Sequence, residues 1–373
     1  MADARRYITV DGRFSMLHGV IDSPRIAYET WGELSPAGDN AVLLFTGLSP
    51  SAHAASSPDD PSSGWWEDMV GADKPIDTTR YFVICVNSLG SCFGSTGPAT
   101  ANPATGQPYR LNFPVLALED VAHAGNAVVE SLGIDRLHAV VGASMGGMTA
   151  LAYAVAYGEH TDGVLLISSA ARCLPFSIAL RSLQRELIRT DPAWADGQYR
   201  FDQPPIVGMR LARKLGMITY RSAAEWAVRF GRERATDDVA VTGSDTSPMA
   251  DGAGGRFGID FEVESYLEAH ANKFIGAFDA NCYLYLSRAM DLFDVADHGG
   301  SVAAGLQRVR AKRALVIGVE SDFLFPPQQQ REVADGLRAG VADVDFKLLP
   351  SIQGHDSFLV DMDRFRPAVA SFF

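Results

Sequence analysis

His138–Gly158 reads HAVVGASMGGMTALAYAVAYG: a short apolar run, a serine set among glycines, then an uncharged series of good helix formers. Its centre, Gly142-Ala143-Ser144-Met145-Gly146, is a G-x-S-x-G sequence in the context of strand, tight turn and helix. A nucleophile on so sharp a turn needs glycine on either side, because a side chain there would collide with the strand or the helix. The helix that follows aims its N-terminal N–H groups at the same point, which favours a developing oxyanion. Leu137–Gly158 carries no formal charge, yet its histidine, its serine and four glycines make a poor membrane span. A buried strand followed by a buried helix accounts for it.

Working outward, short β-rich runs bounded by Gly, Pro and Asp predict further strands at Ala41–Thr46, Tyr81–Val86, Gly163–Ser168, Ala314–Gly318 and Val344–Leu349, with His138–Gly142 among them. Their nearly unbroken apolar character fits a parallel sheet covered on both faces. Leu118–Leu132 has apolar residues at helical spacing between two of these strands, giving a βαβ unit with a right-handed crossover. From Leu174 to about Leu306 only helical patterns occur, including Ser177–Thr190, Met209–Phe230 and Phe261–Asp294. The chain therefore divides into a catalytic core of residues 1–173 and 307–373 and a helical cap of residues 174–306. Ala235–Gly258, small, polar and glycine-rich, reads as a surface loop.

Composition narrows the function. Of 373 residues, 47% are hydrophobic and 21% charged, which excludes a disordered chain. With 32 Lys and Arg against 45 Asp and Glu, no nucleic-acid partner is expected. The four scattered cysteines contain no C-x-x-C pair, so neither a disulfide framework nor a structural zinc is expected. Reduced thiols, and an amino terminus without the apolar core of a secretion signal, point to a cytoplasmic protein with no membrane partner.

A serine hydroxyl needs a base to take its proton and a carboxylate to orient that base. In this architecture the chain order is Ser, then Asp or Glu, then His. His355, in Gln353-Gly354-His355-Asp356 just after the last strand, is the expected base. His160, His270 and His298 read as structural or surface histidines. Asp322, just beyond the Ala314–Gly318 strand, is the favoured carboxylate, with Glu320 its local competitor and Asp294 a weaker rival. The oxyanion hole should combine the Met145 N–H with one from the loop Thr46-Gly47-Leu48-Ser49-Pro50, where Leu48 is the chosen donor.

With these residues in place the chain resembles the homoserine/serine O-acyltransferase family, a group with the α/β-hydrolase fold. The likeness runs through Asn87–Pro114, the elbow VVGASMGGM, RKLGMITYRS and QGHDSF. It implies Ser144, Asp322 and His355 as triad, and Arg213 and Asp356 as binders of the amino-acid acceptor. A zwitterion needs a cation for its carboxylate and an anion for its ammonium, which suits that pair. Tyr220, two helical turns beyond Arg213, would share the same wall.

The loop Gly47-Leu48-Ser49-Pro50-Ser51-Ala52-His53-Ala54 looks most like the serine O-succinyltransferase branch, and is expected to set acceptor specificity. A succinyl donor brings an extra carboxylate, for which Arg181 is the candidate partner; Arg185 is common to both branches and discriminates less. The resemblance implies acyl-CoA as co-substrate, small-molecule partners only, no bound cofactor or metal, and a homodimer through the cap helices. A homoserine O-acetyltransferase would share the same catalytic residues. So would an esterase or thioesterase, in which water replaces the acceptor.

Overall fold

The computed structural model describes residues 4–235 and 258–373, so the expected loop Ala235–Gly258 lies, but for its two end residues, outside the described residues. Eight strands form one sheet: β1 (Arg6–Thr9), β2 (Arg25–Trp31), β3 (Ala41–Phe45), β4 (Phe82–Val86), β5 (Ala139–Ala143), β6 (Gly163–Ile167), β7 (Arg313–Val319) and β8 (Asp343–Leu349). Their order is β1-β2-β4-β3-β5-β6-β7-β8. The first two run antiparallel to their neighbours, and the remaining pairs are all parallel. Every expected strand is present, displaced by a residue or so at its ends. The antiparallel strands β1 and β2, and the hairpin Arg13–Met16/Gly19–Asp22, were not expected from sequence.

Alternation along each strand divides the core between the two faces of the sheet. From β3, Ala41, Leu43 and Phe45 pack with α1 (Leu118–Ser131), α2 (Met145–Tyr157) and α9 (Pro327–Leu337). Val42 and Leu44 face the other way, toward Trp66, Met69 and α11 (Met362–Ala370). Helix α1 starts where Asp120 accepts from the backbone N–H of Ala117 at 2.9 Å and of Leu17 at 2.7 Å. One buried carboxylate thus caps the helix and holds the amino-terminal hairpin against it.

The cap is built from α3 (Pro175–Arg189), α4 (Ile206–Tyr220), α5 (Ala223–Phe230), α6 (Glu262–Phe274) and α7 (Ala280–Leu292). The pattern read over Met209–Phe230 is two helices. Arg221 adopts extended backbone, and Ser222 caps α5 by accepting from the Glu225 N–H. Phe261–Asp294 is likewise interrupted, at Ile275–Asp279, where Gly276 has φ +78°. The chain enters and leaves the cap side by side, through an Arg172–Asp294 bridge and a Val295 N–H donated to Ala171 O at 3.0 Å. The short helix α8 (Val302–Leu306), read from sequence as cap, packs on α9 at the sheet's flank. Among the described residues no helix is long and apolar enough to cross a membrane.

Phe365 on α11 is fully buried in the second core. Phe365→Ala should cost about 3–5 kcal/mol in urea unfolding; a cost below about 1 kcal/mol would mean that the α11 face adds little to stability.

Candidate active site

Three segments meet at the carboxyl-terminal edge of the sheet. Ser144 sits between β5 and α2 with φ +56° and ψ −125°, a conformation that non-glycine residues avoid. The turn is held by close approach of backbone on both sides. A Cβ on Gly142 would lie 2.0 Å from Gly146 O, and one on Gly146 would lie 2.3 Å from Phe45 O. This is the collision that the glycines of the sequence motif avoid.

His355 follows β8 and Asp322 follows β7. The imidazole Nε2 lies 2.8 Å from Ser144 Oγ and Nδ1 lies 2.8 Å from Asp322 Oδ2. Asp322 is held from behind, its Oδ1 accepting from the backbone N–H of Leu324 at 3.0 Å and of Phe325 at 2.9 Å. The carboxylate is therefore fixed in place, and donation from Nδ1 leaves Nε2 free to accept from the serine. The rival carboxylates lie elsewhere: Glu320 is exposed, Asp294 accepts from the Ala296 N–H, and neither residue lines the cavity with Ser144 and His355. The other downstream histidines are occupied too, His298 by Glu119, His160 by Asp135 O and His270 by Tyr266 O.

Burial works against charge on His355, but the Asp322 charge and hydrogen bond, with the Asp356 charge, outweigh it and raise its pKa above 6.5. Met145 is the first residue of α2, so its N–H has no carbonyl one turn back to bond. Leu48 lines the same cavity as Ser144 and His355.

That cavity, about 800 Å³ with its mouth included, is lined on one side by residues of α3, α4 and α7. Of the loop singled out for acceptor specificity, Gly47, Leu48, Ser49 and Pro50 line it; Ser51, Ala52 and His53 do not. Ala52 is fully buried, and His53 bonds Glu29 and Ser62. Arg181 also lines the cavity. Its Nε donates to Asp291 Oδ1 at 2.6 Å, while one terminal nitrogen is buried with no hydrogen-bond partner among the described residues. Arg185 pairs with the other oxygen of Asp291 at 2.7 Å and does not line the cavity.

Tyr220 and Asp356 line the cavity, with the Tyr220 ring 6.1 Å from the His355 ring. Arg213 does not line the cavity but stands behind them, its guanidinium 4.6 Å from the Phe274 ring centroid and its Nε buried with no hydrogen-bond partner among the described residues. Burial raises the Asp356 carboxyl, and the charges of His355, Arg221 and Arg213 partly offset that rise. Sequence reasoning missed Arg221, whose Nε lies 3.7 Å from Asp356 Oδ2. It also missed Trp65, Gln184, Thr219 and Tyr283, which add a ring, an amide and two hydroxyls to the lining. Of these only Thr219 and Arg221 carried a local signal, as immediate neighbours of Tyr220. Among the described residues no group of three or more His, Cys, Asp or Glu gathers as a metal site.

Fold and cavity together define an α/β-hydrolase-fold protein, and residues 40–361 match the family of that description. The chain is 60% identical to a serine O-succinyltransferase of Litchfieldella anticariensis, over 100% of this chain and 99% of that one. A homoserine O-acetyltransferase structure from Bacillus anthracis superposes with a TM-score of 0.86 at 27% identity, over 99% of this chain and 96% of that one. The structure of esterase E22 does so at 0.84 with 28% identity, covering 99% of each chain. The chain belongs to the homoserine/serine O-acyltransferase family of α/β-hydrolase-fold proteins.

A raised pKa keeps His355 protonated, and unable to accept from Ser144, to higher pH than an ordinary histidine. The first-turnover burst from p-nitrophenyl acetate should therefore rise with pH through a midpoint above 6.5. Asp356→Asn removes one of the charges that raise it and should move that midpoint down. A stopped-flow pH series checks both; a midpoint at or below 6.5 in the unaltered protein would contradict the assignment.

Proposed function

We propose that the protein transfers a succinyl group from succinyl-CoA to the hydroxyl of L-serine, forming O-succinyl-L-serine and free CoA. Likeness over the full chain to a serine O-succinyltransferase supports the activity. The observation that carries the donor is Arg181: a buried guanidinium, one nitrogen unpaired, in the wall of the cavity that holds Ser144. A buried cation with an open donor is costly unless a ligand supplies the acceptor, and the distal carboxylate of a succinyl group does so.

The reaction runs in two halves through an acyl-serine. Ser144 Oγ attacks the thioester carbon as its proton passes to His355 Nε2, while Asp322 fixes the imidazole tautomer. The N–H groups of Leu48 and Met145 hold the oxyanion, each donor worth about 2.7–4 kcal/mol in the transition state. His355 returns the proton to the CoA sulfur, which leaves. The serine hydroxyl then gives its proton to His355 and attacks the acyl-enzyme; collapse releases the ester and restores the proton to Ser144 Oγ. Asp356 takes the acceptor's ammonium and Arg213, behind that wall, supplies the positive charge for its carboxylate, with Tyr220 and the Gly47–Pro50 stretch bounding the space. The cap keeps water from the intermediate, favouring transfer over hydrolysis.

This reading has the enzyme act in the cytoplasm, on small molecules alone, with no bound cofactor or metal. It also pairs two copies through the cap, where Leu183, Leu211, Ile218 and Val228 leave apolar surface exposed. Hydrolysis is the second reading, favoured by the close match to esterase E22.

CoA release from succinyl-CoA and acetyl-CoA, each with serine, homoserine or no acceptor, separates the readings. Serine-dependent release from succinyl-CoA is expected. Release indifferent to the amino acid would establish a hydrolase, and preference for homoserine with acetyl-CoA would move the enzyme to the other branch. Ser144→Ala should lower turnover at least about 10³-fold. Arg181→Asn should weaken use of succinyl-CoA more than of acetyl-CoA; equal losses would remove its role with the donor.

A further inference from the structure

The Gly47–His53 loop reaches the cavity with its first half only, and the second half is fastened elsewhere. His53 Nδ1 lies 2.8 Å from Glu29 Oε2 and its Nε2 lies 2.9 Å from the carbonyl oxygen of Ser62. A backbone carbonyl only accepts, and so does an ionised carboxylate. The Ser62 hydroxyl is also near Nε2, at 3.2 Å, but its proton is committed to Asp60 Oδ1 at 2.7 Å. A neutral imidazole has one N–H and cannot satisfy both neighbours; an imidazolium can. Glu29 is 2% exposed, in the middle of β2, where a carboxylate needs a charged partner.

The fastening continues into the cavity wall. Trp65 donates its backbone N–H to His53 O at 3.2 Å and its indole N–H to Ser51 O at 3.1 Å, and its ring lines the cavity. Gly64 leaves no room for movement, since a Cβ there would lie 2.2 Å from the Ala54 carbonyl carbon.

We infer that His53 is an imidazolium clamped between the Glu29 carboxylate and the Ser62 carbonyl, and that this clamp is a positioning device for the Leu48 N–H during acylation of Ser144. The inference rests on the reading of Leu48 as an oxyanion donor, but not on which donor or acceptor the enzyme uses. Burial opposes the charge on His53, yet the Glu29 hydrogen bond, the Ser62 carbonyl and the charges of Glu29 and Asp60 raise its pKa. The clamp is thus fully formed below about pH 6.5 and is lost as pH rises through the raised value. It gives acylation an alkaline limb, distinct from the acid limb set by His355.

Two measurements on the intact protein test this. In long-range ¹H–¹⁵N spectra at pH 6.5, a signal from a histidine with both ring nitrogens protonated should be present and should vanish in His53→Asn. With p-nitrophenyl acetate, which needs neither CoA nor serine, His53→Asn should acylate about tenfold or more slowly, in keeping with a displaced oxyanion donor. Glu29→Gln keeps a hydrogen-bonding partner but removes the charge, so it should shift the alkaline limb to lower pH; it also answers the question if His53→Asn folds poorly. A neutral His53 at pH 6.5, or an alkaline limb that stays in place in Glu29→Gln, would overturn the inference. Loss of the amino-acid assignment in the CoA assay would leave these results standing.

Discussion

A serine at φ +56° between β5 and α2 is strained, and it persists because backbone is packed against it on every side. Gly142 faces the Gly146 carbonyl and Gly146 faces that of Phe45, so β3, β5 and α2 lock one another around the turn. This contact places Oγ above the sheet edge and brings the first turn of α2 alongside it. The cap, the loop after β3 and the histidine loop after β8 are all arranged about that one point. Strain at the elbow is therefore balanced by burial of α2, which packs on the sheet beside α1.

Charge is distributed in the site with a clear division of labour. His355 is bonded by Asp322, which is itself bonded by two backbone N–H groups, so the imidazole has one orientation. Helices α3 and α4 contribute cations, Arg181 and Arg213, each keeping a buried nitrogen without a hydrogen-bond partner among the described residues. The strand-end loops thus carry the Ser144, His355 and Asp322 side chains, while the helices between β6 and β7 carry the two guanidinium groups. Asp356, next to the base in sequence, belongs to both, since it raises the His355 pKa and faces Arg221 across the cap boundary.

The parallel strands were legible because burial on both faces leaves continuous apolar runs, and the elbow because glycine is forced there by contact. The edge strands were not. β1 is largely exposed, and β2 reads RIAYETW, a mixed pattern in which the buried Glu29 bonds His53. The Asp322–His355 pairing followed from chain order together with the place of each residue just beyond a strand. The break between α4 and α5 was readable in principle, since Ser222-Ala-Ala-Glu225 has the spacing of a helix start, but helical periodicity on both sides masked it. Trp65, Gln184 and Tyr283 come together only through tertiary packing of distant segments, and no spacing rule links them.

Asp291 holds two arginines with one carboxylate, Arg181 at Oδ1 and Arg185 at Oδ2, and both arginines lie on one face of α3. Removing either cation leaves a nearly buried anion short of a partner, a loss that weighs heavily in so dry a setting. The two arginines and the aspartate thus behave as one electrostatic unit: a neutral residue at 181 is tolerated best once the residue at 291 has also changed, so the two sites should vary together rather than singly.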